Sequence, residues 1–213
     1  MFTQFDYEDL YSLVFRVGYA GYKPTVKEIP NGDGKVDADK RYAHVAPKYL
    51  VDETPEVRAR LTWYLKRAHA VAEKVADLIE MPKEFRPDIR YGALRVLDYP
   101  PGAVSNKHED FDLFTLMMFR DQPNRFKADE IEVSPLLAKI HTIDPQAHLG
   151  QLGTEVGLGA ATPHEVLPSE TQQRSIVYFT IPDHEAKLPS GVIVRDWLNE
   201  RMARSRTEFK KYE

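Results

Sequence analysis

The spacing of apolar positions changes along the chain and divides it into three parts. Over residues 6–17, Leu10, Leu13, Val14 and Val17 recur at helical steps and predict a short helix. PNGDGK, 30–35, reads as a turn, because Asn-Gly and Asp-Gly adopt positive φ at little cost. The strongest helical pattern runs from about Pro55 to Ile79. There Val57, Leu61, Tyr64, Leu65, Ala68, Ala72, Val75 and Ile79 repeat every three or four residues and define one buried face. Thr54 is placed to cap this helix, Pro55 suits its first turn, and Pro82 lies beyond its end.

From about residue 90 the pattern shortens. YGALRVLDYPPG, 91–102, predicts a strand closed by a Pro-Pro-Gly turn, and DLFTLMMFR follows as a second apolar strand. A polar loop covers about 121–130, then come IEVSPLLAKI and the Gly-rich GQLGTEVGLGA, and RSIVYFTIP, 174–182, is strongly strand-like. Short strands with Gly and Pro turns point to an antiparallel sandwich or barrel rather than a βαβ fold. Helical character returns from Val194 to Tyr212, where Leu198, Met202 and Phe209 form a thin apolar edge that places this helix on the outside. Trp63 and Trp197 read as helix packing. The expected organisation is one domain over 1–213: a helical part to about 82, a β core over about 90–182 and a C-terminal helix over about 191–213.

Composition narrows the function classes. The 213 residues are 42% hydrophobic and 29% charged, ordinary for a globular protein able to enclose a pocket. A net charge of −4 gives no electrostatic case for nucleic acid. The absence of cysteine removes disulfides and thiolate-ligated metals. The N-terminus, MFTQFDYEDLYSLVF, lacks the basic start and long apolar core of a secretion signal, and no apolar run is long enough to span a membrane. The expectation is a cytoplasmic protein acting on a small molecule.

The candidate chemistry lies in SNKHEDFDLFTLMMF, 105–119. On an extended chain, side chains at i and i+2 share a face with Cα atoms about 7 Å apart, so His108 and Asp110 can converge on one ion. Among the seven histidines only His108 has an acid two residues later. His164, in TPHEV just before the last strand, is the best third ligand. Two imidazoles and one carboxylate form the facial triad of non-haem iron(II) oxygenases. A solvated strand edge accounts for the His-x-Asp pair equally well on these residues alone. His141 and His148 flank a loop and read as surface residues, His184 reads as solvent-facing, and His44 and His69 have no partner pattern.

The longer context carries a resemblance. HEDFDLFTLM resembles the metal-binding strand of the isopenicillin N synthase-like group of the iron(II)/2-oxoglutarate dioxygenase superfamily, where His-x-Asp precedes an aromatic and a Leu-rich strand containing Thr-Leu. TPHEV is similar to the segment carrying the group's distal histidine, and LRVLDYPPG to its strand ending in Tyr-Pro-Pro. The matches cover roughly 91–182 in the right order. The resemblance implies a double-stranded β-helix, or jelly-roll barrel, mainly β with flanking helices and buttressed by the helix at 55–79. It implies Fe(II) on His108, Asp110 and His164, with 2-oxoglutarate and O2 as co-substrates. It also implies oxidation of a small molecule, by hydroxylation above all, as the keto acid is decarboxylated to succinate and CO2. A 2-oxoglutarate-independent iron oxidase and a non-catalytic ligand-binding jelly roll are the alternatives. Arg174 corresponds to the arginine that grips the keto acid, with Tyr99 and Ser175 beside it, and Arg95 shares strand parity with Tyr99 and could meet an acidic substrate.

The chain departs from the group's pattern in three ways. Ser175 directly follows Arg174 instead of lying two residues on, so the inward anchor position falls on either Arg174 or Gln173. Leu97 replaces the usual Asn. The chain is also shorter than most relatives. Retention of Asp110 argues against halogenation.

Overall fold

The computed structural model describes residues 1–23, 40–129 and 134–205. The turn at 30–35 and the end of the last predicted helix, with Phe209, lie outside them.

Helix α1 spans Gln4–Val14 and is closed at its start by a capping box between Thr3 and Asp6. It buries Tyr7, Leu10, Leu13 and Val14. It stops short of the predicted end, and Val17 is 98% exposed rather than part of the apolar face. Helix α2, Pro55–Leu78, follows the sequence pattern closely: the Thr54 side chain accepts from the Val57 amide, and Leu61, Tyr64, Leu65, Ala68, Ala72 and Val75 are buried. Trp63 does not pack into the core. It is exposed, with the Arg67 guanidinium 4.6 Å from its ring, whereas Trp197 is buried as expected.

The β structure is a jelly roll of two antiparallel sheets. Its strands are β1 Tyr22–Lys23, β2 Arg41–Val45, β3 Ala93–Tyr99, β4 Ser105–His108, β5 Phe114–Arg120, β6 Phe126–Ala128, β7 His148–Leu149, β8 His164–Val166 and β9 Gln173–Phe179. The larger sheet has the order β1-β2-β3-β9-β5-β7 and the smaller β4-β8-β6. The sheets face each other without closing into a continuous barrel. Two helices interrupt the β region where only loops and strands were expected: α3, Pro135–His141, and α4, Gln151–Glu155. Ser134 caps α3, accepting from the Leu137 amide at 3.1 Å. The C-terminal helix α5 spans Val194–Ser205.

Strand alternation divides the large sheet into two chemical faces. Leu94, Val96, Leu116, Met118, Ile176 and Tyr178 join α1 and α2 in the main core. Leu97, Tyr99, Met117 and Val177 belong to a separate small cluster with Val166 of the opposite sheet. Burial of the first set holds the helices on the outer face and leaves the second set lining the space between the sheets.

One irregularity bears on the site. The β5–β9 register slips between Met117 and Phe119, so Met118 and Phe119 both lie on the helix side. This bulge resets the alternation and turns Arg120, opposite Ser175, into the space between the sheets.

Candidate metal centre

The site begins with a cross-strand pair. His108, at the end of β4, lies directly opposite His164, at the start of β8, and their rings are 4.4 Å apart. Asp110 follows two residues after His108. The His108 Nε2 lies 3.7 Å from Asp110 Oδ1, and the His164 Nε2 lies 3.6 Å from Asp110 Oδ2. One donor atom from each of the three residues falls within 4.8 Å of the others. A metal bound to all three at ordinary bond lengths draws the donor atoms to about 3 Å from one another, so each histidine–carboxylate distance has to shorten by more than about half an ångström.

The imidazoles are held in one tautomer. His108 Nδ1 contacts the Asn106 carbonyl at 2.6 Å, and His164 Nδ1 contacts the Thr162 carbonyl at 3.0 Å. Each Nδ1–H is thereby used, and each Nε2 lone pair is directed at the carboxylate side, as a metal ligand requires. Burial, reinforced by neighbouring His148 and His108, holds the His164 pKa well below 6.5, so it is neutral. Burial works against the charge of Asp110, but the hydrogen bond from His148 and the nearby His164 and His108 outweigh it and keep the carboxyl well below 3.8. Neutral imidazoles and an ionised acid are the states a divalent cation needs.

A third imidazole completes the cluster. His148, on β7, is 2% exposed rather than on the surface. Its Nε2 lies 2.9 Å from Asp110 Oδ2, and its ring is 4.1 Å from that of His164. The Thr115 hydroxyl is 3.0 Å from the same oxygen and 2.9 Å from Asp112 Oδ2. Asp112 is buried, and burial first and the adjacent charge of Asp110 second hold its pKa well above 3.8. Gly150 makes this approach possible, since a Cβ there would meet the Asp112 carbonyl oxygen at 2.2 Å. Sequence reasoning missed His148 because its role arises from the pairing of β7 with Thr115 on β5.

Arg174 does not line the cavity that holds the metal cluster. It has the parity of Ile176 and Tyr178, and its guanidinium lies 5.9 Å from the Tyr7 ring of α1, on the helix side of the sheet. A shift of one residue in a strand reverses the face, and the inward position belongs to Gln173. The Gln173 amide is occupied, donating to the Leu167 carbonyl at 2.8 Å. The cation that does enter is Arg120. It lines a narrow space with Tyr99, Ser175, Gln173, Val166 and Arg174, and its guanidinium lies 4.5 Å from the Phe126 ring. Its buried Nε has no hydrogen-bond partner, and burial pushes its pKa down to about 10. The metal cluster opens into an adjoining cavity of about 40 Å³, which Arg95, Tyr99, Arg120 and Lys40 also line.

Neither a family model nor a curated protein matches the chain. Solved structures do. A candidate oxygenase from Shewanella oneidensis superposes with a TM-score of 0.63 at 19% identity, over 93% of this chain and 84% of that one. A full-length Neurospora crassa protein in complex with alpha-ketoglutarate, which is 2-oxoglutarate, gives a TM-score of 0.57 at 15% identity, covering 93% and 79%. The rice dioxygenase for auxin oxidation gives 0.55 at 15% identity, covering 94% and 81%. The fold is that of the 2-oxoglutarate oxygenases. This fold places the His108–Asp110–His164 cluster between two sheets, with a basic side chain reaching inward from the larger sheet. No helix among the described residues is long and apolar enough to cross a membrane.

Proposed function

We propose that the protein is an iron(II)- and 2-oxoglutarate-dependent oxygenase of a small molecule, with His108, Asp110 and His164 as its metal ligands. The observation that carries this reading is the convergence of two tautomer-fixed imidazoles and one ionised carboxylate inside a 2-oxoglutarate-oxygenase fold. The donor set fits iron(II): imidazole and carboxylate suit it, and three protein ligands leave positions vacant for other groups.

In the balanced reaction, 2-oxoglutarate and O2 with a substrate C–H yield succinate, CO2 and the hydroxylated product. Iron supplies the redox chemistry when bound. The chain's residues position the participants. Arg120 is the cation suited to the far carboxylate of the keto acid, through a planar, charge-assisted contact. Tyr99 and Ser175 line the same space and could add hydroxyl contacts. His148 and Thr115 hold Asp110 Oδ2, which orients Oδ1 toward His108. The apolar cluster of Leu97, Met117, Val166 and Val177 keeps bulk water from the co-substrate space.

The test is anaerobic loading with iron(II) and 2-oxoglutarate, followed by oxygen. The wild-type protein should develop the weak metal-to-ligand absorption band and then form succinate, and His108→Ala should abolish both. Oxygen-dependent turnover without succinate would favour a 2-oxoglutarate-independent oxidase. Undiminished succinate formation by His108→Ala would refute the metal assignment.

A further inference from the structure

Beyond the metal cluster lies a second, larger pocket of about 280 Å³, near the lower end of the range for small-molecule sites. His108 and Asp110 form part of its wall, so a molecule held there abuts the metal ligands. Tyr49, Tyr91, Phe111, Phe179, Ile181 and Leu198 give it a flat, apolar lining, with Leu198 contributed by α5. The volume suits a molecule of one or two rings rather than a polymer.

Arg95 stands where this pocket meets the metal cavity and lines both. Its guanidinium lies 4.6 Å from the Tyr42 ring and 4.4 Å from the Phe179 ring. These ring faces fix the plane of the fork and offset part of its desolvation. No carboxylate among the described residues pairs with Arg95, and its buried Nε has no hydrogen-bond partner. Of the other charges of the pocket, Arg195 pairs with Glu185 and Asp196 and Glu109 accepts from Gln151 at 2.9 Å, while Lys48 lies 4.9 Å from the Tyr49 ring and, unlike Arg95, does not line the metal cavity. A guanidinium in such surroundings carries an unmet demand for an anion.

The keto acid does not meet that demand if Arg120 holds its far end. Arg95 and Arg120 lie on β3 and β5, with β9 between them, which separates their strands by roughly 9–10 Å. Their partners on β9, Val177 and Ser175, add a two-residue offset along the strand. The two side chains therefore spring from separate points on the sheet, each placed to hold a carboxylate of its own.

We propose that the substrate is a small ring-bearing carboxylic acid whose carboxylate is bound by Arg95 and whose apolar body fills the 280 Å³ pocket. This assignment rests on the oxygenase reading above. A carboxylate matches the planar fork and its single charge is balanced by one guanidinium, whereas a phosphate dianion would leave one charge unmet.

The experiment uses the full chain with iron(II), 2-oxoglutarate and oxygen, and reads succinate formation. The probes are benzoate, phenylacetate and 3-phenylpropionate, each against its primary amide and methyl ester. At least one acid should stimulate succinate formation, with kcat/KM at least tenfold above its neutral counterparts. Arg95→Gln should bring that acid-to-amide ratio close to one, and Arg95→Lys should restore part of it. The ratio is read within one protein, so a partly unfolded variant does not distort it. Equal stimulation by amides, no stimulation by any acid, or an unchanged ratio in Arg95→Gln would overturn the proposal. The absorption band of wild-type protein with iron and 2-oxoglutarate separates the two levels. If the band is absent, the oxygenase reading fails; if it is present while the acids fail, only the substrate assignment does.

Discussion

Arg120 and Arg174 sit on neighbouring strands, yet their guanidinium groups lie against Phe126 and Tyr7 on opposite faces of the sheet, and their replacement should separate them sharply. Arg120→Gln removes a buried, charge-assisted contact worth about 2–3 kcal/mol, so KM for 2-oxoglutarate should rise by roughly 30- to 160-fold. Arg174→Gln, on the helix side, should change it by less than about twofold. Steady-state 2-oxoglutarate consumption measures both, and a reversed order would return the anchor to Arg174. The same pair shows what was legible. His108, Asp110 and His164 could be read because their signal is local: a two-residue spacing on an extended chain and a short motif around the third ligand. Arg120 could not, because the bulge at Met118 breaks the alternation from which its direction would be inferred. His148 is equally silent in sequence, since only the pairing of β7 with β5 brings it to Asp110.

At the scale of elements, α2 was legible nearly to the residue because cap, proline and apolar stripe agree. α4 was not, being five residues long with Gly153 inside it and Gly150 at its cap, a composition that reads as loop. α3 carried a usable signal in Ser134-Pro135 that its short length obscured. The packing of α2 on the large sheet has its own pH dependence. His69, on α2, is largely buried, and its Nδ1 lies 3.0 Å from the Tyr178 hydroxyl of β9. Burial pushes its pKa below 6.5, against the opposing pull of Glu73 and Asp88. The unfolded chain therefore takes up this proton more readily than the folded one. The stability associated with neutral His69 is complete above about pH 6.5 and is lost as pH falls below it. Thermal melts between pH 5 and 8 should show Tm falling below pH 6.5, less steeply in His69→Gln. Parallel curves for the two proteins would exclude His69 as a source.

At the scale of the whole molecule, the jelly roll was read through resemblance rather than periodicity, because strands of two to seven residues carry too little alternation to specify how sheets are ordered. The ladder pairings keep the two sheets separate: β4, β8 and β6 pair only among themselves in the described residues. His108 and His164 belong to the small sheet, while His148 and Thr115, which hold Asp110, belong to the large one. An ion gripped by the first two residues and by Asp110 is thus a clasp across a seam that no strand ladder among the described residues crosses. Loading with iron(II) under anaerobic conditions should slow amide hydrogen exchange in β4 and β8 by at least tenfold, leave the interior of α2 unchanged, and be reversed by a chelator. Uniform protection, or none, would mean that the halves are joined by other means. If the clasp holds, iron scarcity reaches this protein first as a loosening of its smaller sheet, so cellular iron supply would govern the lifetime of the polypeptide as well as its turnover.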